Sequence, residues 1–179
     1  MTWLSDLVNG IKRMGRKKDY LNDLVKEATN WVGLKEKKGS PSSIINVFRR
    51  ANDGVAEGEP WCAAFVQYCV SSVASRNNLE ISLAASELCY NLWYNTPKRC
   101  RLKGPVPGSI IIWNYPGTQR GHTGIVHSVM PDGLINTIEG NTGDPREGAD
   151  KSYRGVFPKI RSAKGSEGMV VLGYINPFL

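Results

Sequence analysis

In the segment Glu59-Pro60-Trp61-Cys62-Ala63-Ala64-Phe65-Val66 a cysteine follows a proline just where an apolar, helix-spaced run begins. The pattern predicts a thiol on the first turn of a helix, with Pro60 in that turn because its missing N–H had no intrahelical acceptor there. A helix amino terminus favours the thiolate, the form of a thiol that attacks, and its bare N–H groups can receive a developing oxyanion. The competing reading of Cys62 is an ordinary buried cysteine, common in helices. Other residues shift the balance. Gly121-His122-Thr123-Gly124 opens a β-branched stretch, and Glu139-Gly140-Asn141 closes the next one. A nucleophile, a base and two groups able to orient that base are all present, which is the equipment of a cysteine hydrolase.

Turn chemistry predicts how the base meets its partners. Pro131-Asp132-Gly133 is a strong turn signal, so Met130 is expected opposite Leu134 or a close neighbour. Counting outward, His122 falls opposite Asn141 or its neighbour, and Glu139 shares a strand face with Asn141. Either side chain can then hold the imidazole through its second nitrogen, across strand positions roughly 5 to 8 Å apart. The count assumes a regular hairpin, which a bulge at Gly140 would alter. His127 lies five residues beyond His122 and points to the opposite face of a regular strand, so only one histidine can join Glu139 and Asn141. His122, at the strand mouth between two glycines, is the candidate base, and His127 reads as structural. Neither Cys62 with Cys69 nor the two histidines have zinc-ligand spacing, and the histidines diverge, so no zinc site is expected.

The elements that must position these groups follow from periodicity. Residues 2–14 space Trp3, Leu4, Leu7, Val8, Ile11 and Met14 as one helical stripe. That helix either packs on the body or forms a basic amphipathic arm against an anionic membrane surface, and residues 1–18 are assigned to it. A second helix is expected over 19–33, ending at Gly33. The run 35–43 reads as loop, with Ser42 or Ser43 capping a helix over 44–51 and Asn52-Asp53-Gly54 turning the chain. Helices are expected over 60–75 and 82–94, then strands over 109–113, 123–130, 134–139, 153–161 and 169–175. Helices first and strands later argue for an α+β domain with an antiparallel sheet over residues 19–179.

With 179 residues the chain supports one ordinary core. No apolar run reaches the roughly eighteen residues that span a bilayer. The net charge of +7 favours polyanionic surroundings such as nucleic acid, anionic lipid or bacterial envelope polymers. No nucleic-acid-binding signature accompanies it, so no nucleic-acid partner is expected. The excess is concentrated early, where Lys12, Arg13, Arg16, Lys17 and Lys18 face only Asp6 within the first eighteen residues. This amino terminus puts its apolar part before its basic part, the reverse of a secretory signal. The expectation is a protein made in the cytoplasm without a signal peptide and acting in the periplasm or cell wall after release. The four cysteines show no C-x-x-C pair and are expected as reduced thiols, Cys69 as a core residue, with Cys89 and Cys100 close enough in sequence to meet across a turn.

Taken together, the ordered motifs resemble the CHAP family of cysteine, histidine-dependent amidohydrolases and peptidases. The resemblance runs over 28–177 and rests on Val32-Gly33-Leu34-Lys35-Glu36 with Gly39, Pro60 to Val66, Pro107-Gly108, Gly121-His122-Thr123-Gly124-Ile125-Val126, Glu139-Gly140-Asn141 and Leu172-Gly173-Tyr174-Ile175. It implies a papain-like fold and cleavage of a peptidoglycan amide, either muramoyl-L-alanine or a stem or cross-bridge peptide bond. It makes Cys62 the nucleophile, His122 the base, Glu139 the orienting carboxylate and Asn141 a fourth polar member. Ser109 departs from the Asp often found after Pro-Gly in the family. Some relatives carry an acidic calcium loop, but Asp53, Glu57 and Glu59 lack alternating ligand spacing, so neither metal nor cofactor is expected. Trp61, Trp113 and Tyr115 are candidates to line the substrate groove, against the alternative of packing. The small size and basic arm look like those of single-domain phage endolysins, and a monomer is expected. A secreted interbacterial amidase effector, or a non-catalytic wall-binding or phage structural protein on this fold, are the alternatives.

Overall fold

A computed structural model describes residues 19–38, 40, 42–51 and 59–179. The arm expected over 1–18 and the turn at 52–54 lie outside the described residues. Among the described residues, four helices precede most of the sheet: α1 (Tyr20–Thr29), α2 (Ile45–Arg50), α3 (Cys62–Asn77) and α4 (Cys89–Asn95). The strands are β1 (Lys35–Lys37), β2 (Arg101–Leu102), β3 (Ile110–Asn114), β4 (Gly121–Val129), β5 (Leu134–Thr142), β6 (Tyr153–Ser162), β7 (Gly165–Ser166) and β8 (Met169–Ile175). They form an antiparallel sheet in the order β1-β6-β5-β4-β3-β8-β2, with β7 paired to β8. This is the expected α+β architecture of helices packed on an antiparallel, papain-like sheet.

Helix α3 is apolar on nearly every side, which marks a helix enclosed by neighbours. It lies between the sheet, through β4 and β5, and the outer helices α1 and α2. Phe65, Val66, Val70 and Val73 are fully or almost fully buried there, each contributing about 1.5–3 kcal/mol by leaving water. Both sheet faces are covered. Ile110, Ile112, Ile125 and Ile138 meet the helices, while Ile111, Trp113, Val126 and Ile135 build a second cluster on the far side. An all-buried strand such as β3 follows from this double cover.

Several boundaries differ from expectation for identifiable reasons. α3 starts at Cys62, with Trp61 as its cap residue, so Pro60 precedes the helix instead of opening it. No serine caps α2. The Ser42 N–H instead donates to Glu36 Oε2 at 3.0 Å, and Ile44 takes the cap position. The stretch before α4 is irregular because Ser86 pairs with Gln67 of α3: Ser86 N–H donates to Gln67 Oε1 at 3.0 Å, and Gln67 Nε2 donates to Ser86 O at 2.9 Å. The Lys-rich run 35–37 is a short edge strand on β6, not a loop. β2 and β7, of two residues each, are too short to show a period.

The hairpin register is as counted near the turn, with Val129 opposite Ile135 and Ser128 opposite Asn136. A bulge at His127 then shifts it by one, giving Val126 opposite Thr137 and Ile125 opposite Ile138. His127 is the bulged residue and is exposed, with Nδ1 3.5 Å from Ser128 Oγ. The extra residue leaves the His122 end of the hairpin in the register that brings Glu139 across to it.

Candidate active site

Two glycines make room for the site. At Gly140 a Cβ would lie 2.6 Å from the Phe65 Cβ and 2.9 Å from the Trp61 ring, so only glycine lets β5 settle against the first turn of α3. At Gly124 a Cβ would stand 2.8 Å from Glu139 Cγ, in the space through which the Glu139 side chain reaches toward His122. Cys62 therefore comes from the tip of a helix on one side of the sheet. His122 and Glu139 come from the other side, where β4 begins and β5 nears its end.

The helix tip is itself anchored. Trp61 Nε1 donates to Glu36 Oε1 at 2.9 Å, and Arg49 of α2 forks onto the same carboxylate at 2.6 and 3.3 Å. The buried Glu36 thus ties β1, α2 and the residue before Cys62 into one unit. Cys62 is the first residue of α3 and is 5% exposed.

On the base side, His122 Nε2 is 2.9 Å from Glu139 Oε2. Glu139 is fully buried, and Arg161 of β6 grips it with two bonds, Nε to Oε1 at 2.8 Å and Nη2 to Oε2 at 2.7 Å. The Thr137 hydroxyl donates to Oε1 at 2.6 Å, and Glu167 closes the chain from the rim with an ion pair of 2.6 Å to Arg161. Trp113 stacks behind the imidazole with ring centroids 5.8 Å apart and 18° between planes. Nε2 is committed to Glu139, which leaves Nδ1 free of that carboxylate, and the charges of Cys62 and His122 act on one another.

Charge follows from these contacts. A hydrogen bond from Cys89, whose Sγ is 3.7 Å away, is the largest influence holding the Cys62 thiol well below the ordinary range. Burial opposes it, while the His122 charge, a His122 hydrogen bond and the Ala63 N–H add to it. For His122, burial disfavours the cation, but the Cys62 thiolate and Glu139 outweigh it and raise the imidazole to about 10. Burial likewise works against ionised Glu139, yet Arg161 and His122 hold it down at about 2. These contacts favour a thiolate–imidazolium pair backed by a charged carboxylate.

A cleft of about 460 Å³ opens beside His122 and is lined among others by Tyr115, Asn141, Lys151, Arg154 and Arg161. Asn141 has φ of 56°, a left-handed conformation that asparagine tolerates, and it sits where the pairing of β5 with β6 slips. That twist places Asn141 on the cleft wall, and the imidazole bonds to Glu139. Of the aromatic candidates, Tyr115 lines the cleft and is 41% exposed. Trp61 and Trp113 are 1% and 0% exposed, so they pack behind Cys62 and His122 instead of facing a groove. Cys69 is buried in α3, and Cys89 faces Cys62 instead of Cys100, whose Sγ is 3.2 Å from Leu179 O.

Arg161, Glu36 and Cys89 were not among the expected site residues. Arg161 left a faint signal, since Lys159 and Arg161 alternate along the strand following β5 and so place cations on one face.

A family model described as the CHAP domain matches residues 54–141. No curated protein matches the sequence. Among solved structures, one described as Ly7917 with the hydrolyzing product of MDP aligns with a TM-score of 0.52 and 16% identity. A second structure of Ly7917 aligns with 0.50 and 17%. Each alignment covers 88% of this chain and 62% of the other, so the chain spans under two thirds of those neighbours. At this identity the likeness is one of fold.

Proposed function

We infer that this chain, which belongs to the CHAP family, hydrolyses an amide bond of bacterial peptidoglycan with Cys62 as nucleophile. The observation that carries the reading is the convergence of Cys62, His122 and Glu139 from α3, β4 and β5 into one charged constellation beside an open cleft. The solved neighbour bound to the hydrolyzing product of MDP supports a cell-wall substrate. The Cys62 thiolate attacks the amide carbonyl, and the first-turn N–H groups of α3 receive the oxyanion. The His122 imidazolium gives its proton to the departing amine, leaving an acyl thioester. His122, now neutral, takes a proton from water, which releases the acid and restores the thiolate. Glu139 keeps the imidazole oriented and its cation favoured throughout.

The biological role proposed is bacteriolysis by a phage endolysin that reaches the wall once the inner membrane is opened. Purified sacculi incubated with wild type should release fragments whose masses name the bond cut, and Cys62→Ala should release none above buffer. Equal release by the two proteins ends the hydrolase reading. Expression directed to the periplasm should lyse cells and expression confined to the cytoplasm should not; survival of the periplasmic culture with active enzyme overturns the lytic role.

A further inference from the structure

We propose that Cys62 and Cys89 form an oxidative modification site, in which Cys89 is the resolving thiol that closes a reversible disulfide on the nucleophile after a hydroperoxide has oxidised it. The proposal rests on the reading of Cys62 as the nucleophile. Its basis is the 3.7 Å separation of the two sulfurs, each on the first residue of its helix. The reciprocal hydrogen bonds between Gln67 and Ser86 clasp the chain leading into α4 against α3, and so hold the two residues face to face. A disulfide needs the sulfurs at about 2.05 Å, which asks for an approach of less than about 2 Å. Both thiols are nearly buried, at 5% and 4% exposure. A small peroxide can reach Cys62 through the residual opening, whereas a bulky cellular thiol competes poorly with a neighbour already in contact.

The two sulfurs are unequal, and the inequality sets the order of events. Cys62 is held toward thiolate, while Cys89 is pushed well above the ordinary thiol range, first by its hydrogen bond to Cys62 and then by burial. The Cys62 thiolate attacks the terminal peroxide oxygen, forming Cys62–SOH and releasing alkoxide or hydroxide, which takes the His122 proton. Cys89 sulfur then attacks the sulfenic sulfur; the S–S bond forms, and the leaving hydroxide combines with the Cys89 proton as water. The peroxide gains two electrons and each sulfur loses one. A dithiol reverses the change, so the site protects its nucleophile from irreversible oxidation.

The full chain is treated with hydrogen peroxide, then split for peptide mapping without reduction and for sacculus digestion before and after dithiothreitol. Wild type should show a peptide joining Cys62 to Cys89, lose activity about tenfold or more, and regain it with dithiothreitol. Cys89→Ala and Cys89→Ser, each scored against its own reduced activity, should lose activity without regaining it and should carry sulfinic acid at Cys62. Wild type with sulfinic Cys62 and no joined peptide, a link to Cys69 or Cys100 instead, or Cys89 variants that recover as wild type does, each overturns the proposal. The joined peptide is read without substrate, so inactive reduced enzyme counts against the hydrolase reading alone.

Discussion

Glu36 and Glu139 are two buried carboxylates built to one plan and set to different tasks. Each accepts two bonds from an arginine, Arg49 at 2.6 and 3.3 Å and Arg161 at 2.8 and 2.7 Å, and each takes further donors. The last partner differs. Glu36 ends on the Trp61 indole, which does not titrate, so its network fixes only where Cys62 stands. Glu139 ends on the imidazole of His122, so the same kind of fork fixes both where that ring stands and how strongly it holds its proton. A buried ion pair adds modestly to stability, since desolvation offsets much of the attraction, but removal of one partner strands the other. Position and charge can therefore be broken separately.

The largest effect is expected from Glu139→Gln, which keeps the shape and removes the charge. Activity on soluble muropeptides should fall by about 10²-fold or more. The alkaline limb of the pH profile, set by His122 near 10 in wild type, should move to lower pH because the carboxylate that favours the cation is gone. A profile with the limb unmoved would separate Glu139 from the charge of the base.

The arginines sharpen the contrast next. Arg161→Met should lower kcat by about tenfold, and the acid limb should rise because Glu139, no longer paired, protonates at higher pH. Rescue of that limb by Arg161→Lys would distinguish charge from packing. Glu36→Gln should cost about 3 kcal/mol of stability, read as a lower Tm, with both pH limbs in place. If Glu36→Gln moves the limbs as Arg161→Met does, the distinction between the two anchors fails.

Stability against acid should report the charge of Glu139. Glu139 is held at about 2 in the folded chain against 4.5 as an ordinary side chain. Its contribution is present above 4.5 and is lost as pH falls toward 2. Chemical denaturation across pH 5 to 2 should show that loss in wild type and much less of it in Glu139→Gln. A smaller change is expected from Tyr115→Ala on the cleft wall, a severalfold rise in KM with kcat nearly kept.

How far the residues announced this arrangement depends on the range of each signal. The helix tip at Cys62 and the turn at Pro131-Asp132-Gly133 are local patterns, and they place the two strands of His122 and Glu139 side by side in one hairpin, with the final register set by the bulge. The His127 bulge was not legible, because it depends on how β4 twists against its neighbours. Glu36 was hidden among Lys35, Lys37 and Lys38, a run that reads as a solvated loop until β1 pairs with β6 and turns the carboxylate inward. Its partners lie 13 and 25 residues away, and Arg161 lies 22 from Glu139, separations at which periodicity carries nothing. Trp61 and Trp113 were ambiguous for a related reason. An aromatic ring beside a reactive residue suits either wall or support, and only the sheet order puts them behind it.

The central claim is that the fold favours the Cys62 thiolate, through the Cys89 hydrogen bond first and the His122 charge with it. The pH dependence of alkylation at Cys62 by iodoacetamide, read by peptide mapping in wild type and His122→Ala, tests it without substrate. The account predicts a wild-type titration well below that of a free thiol and a shift upward in His122→Ala. Titration of wild-type Cys62 near about 8.5, as in a free thiol, or identical curves for the two proteins, would contradict it.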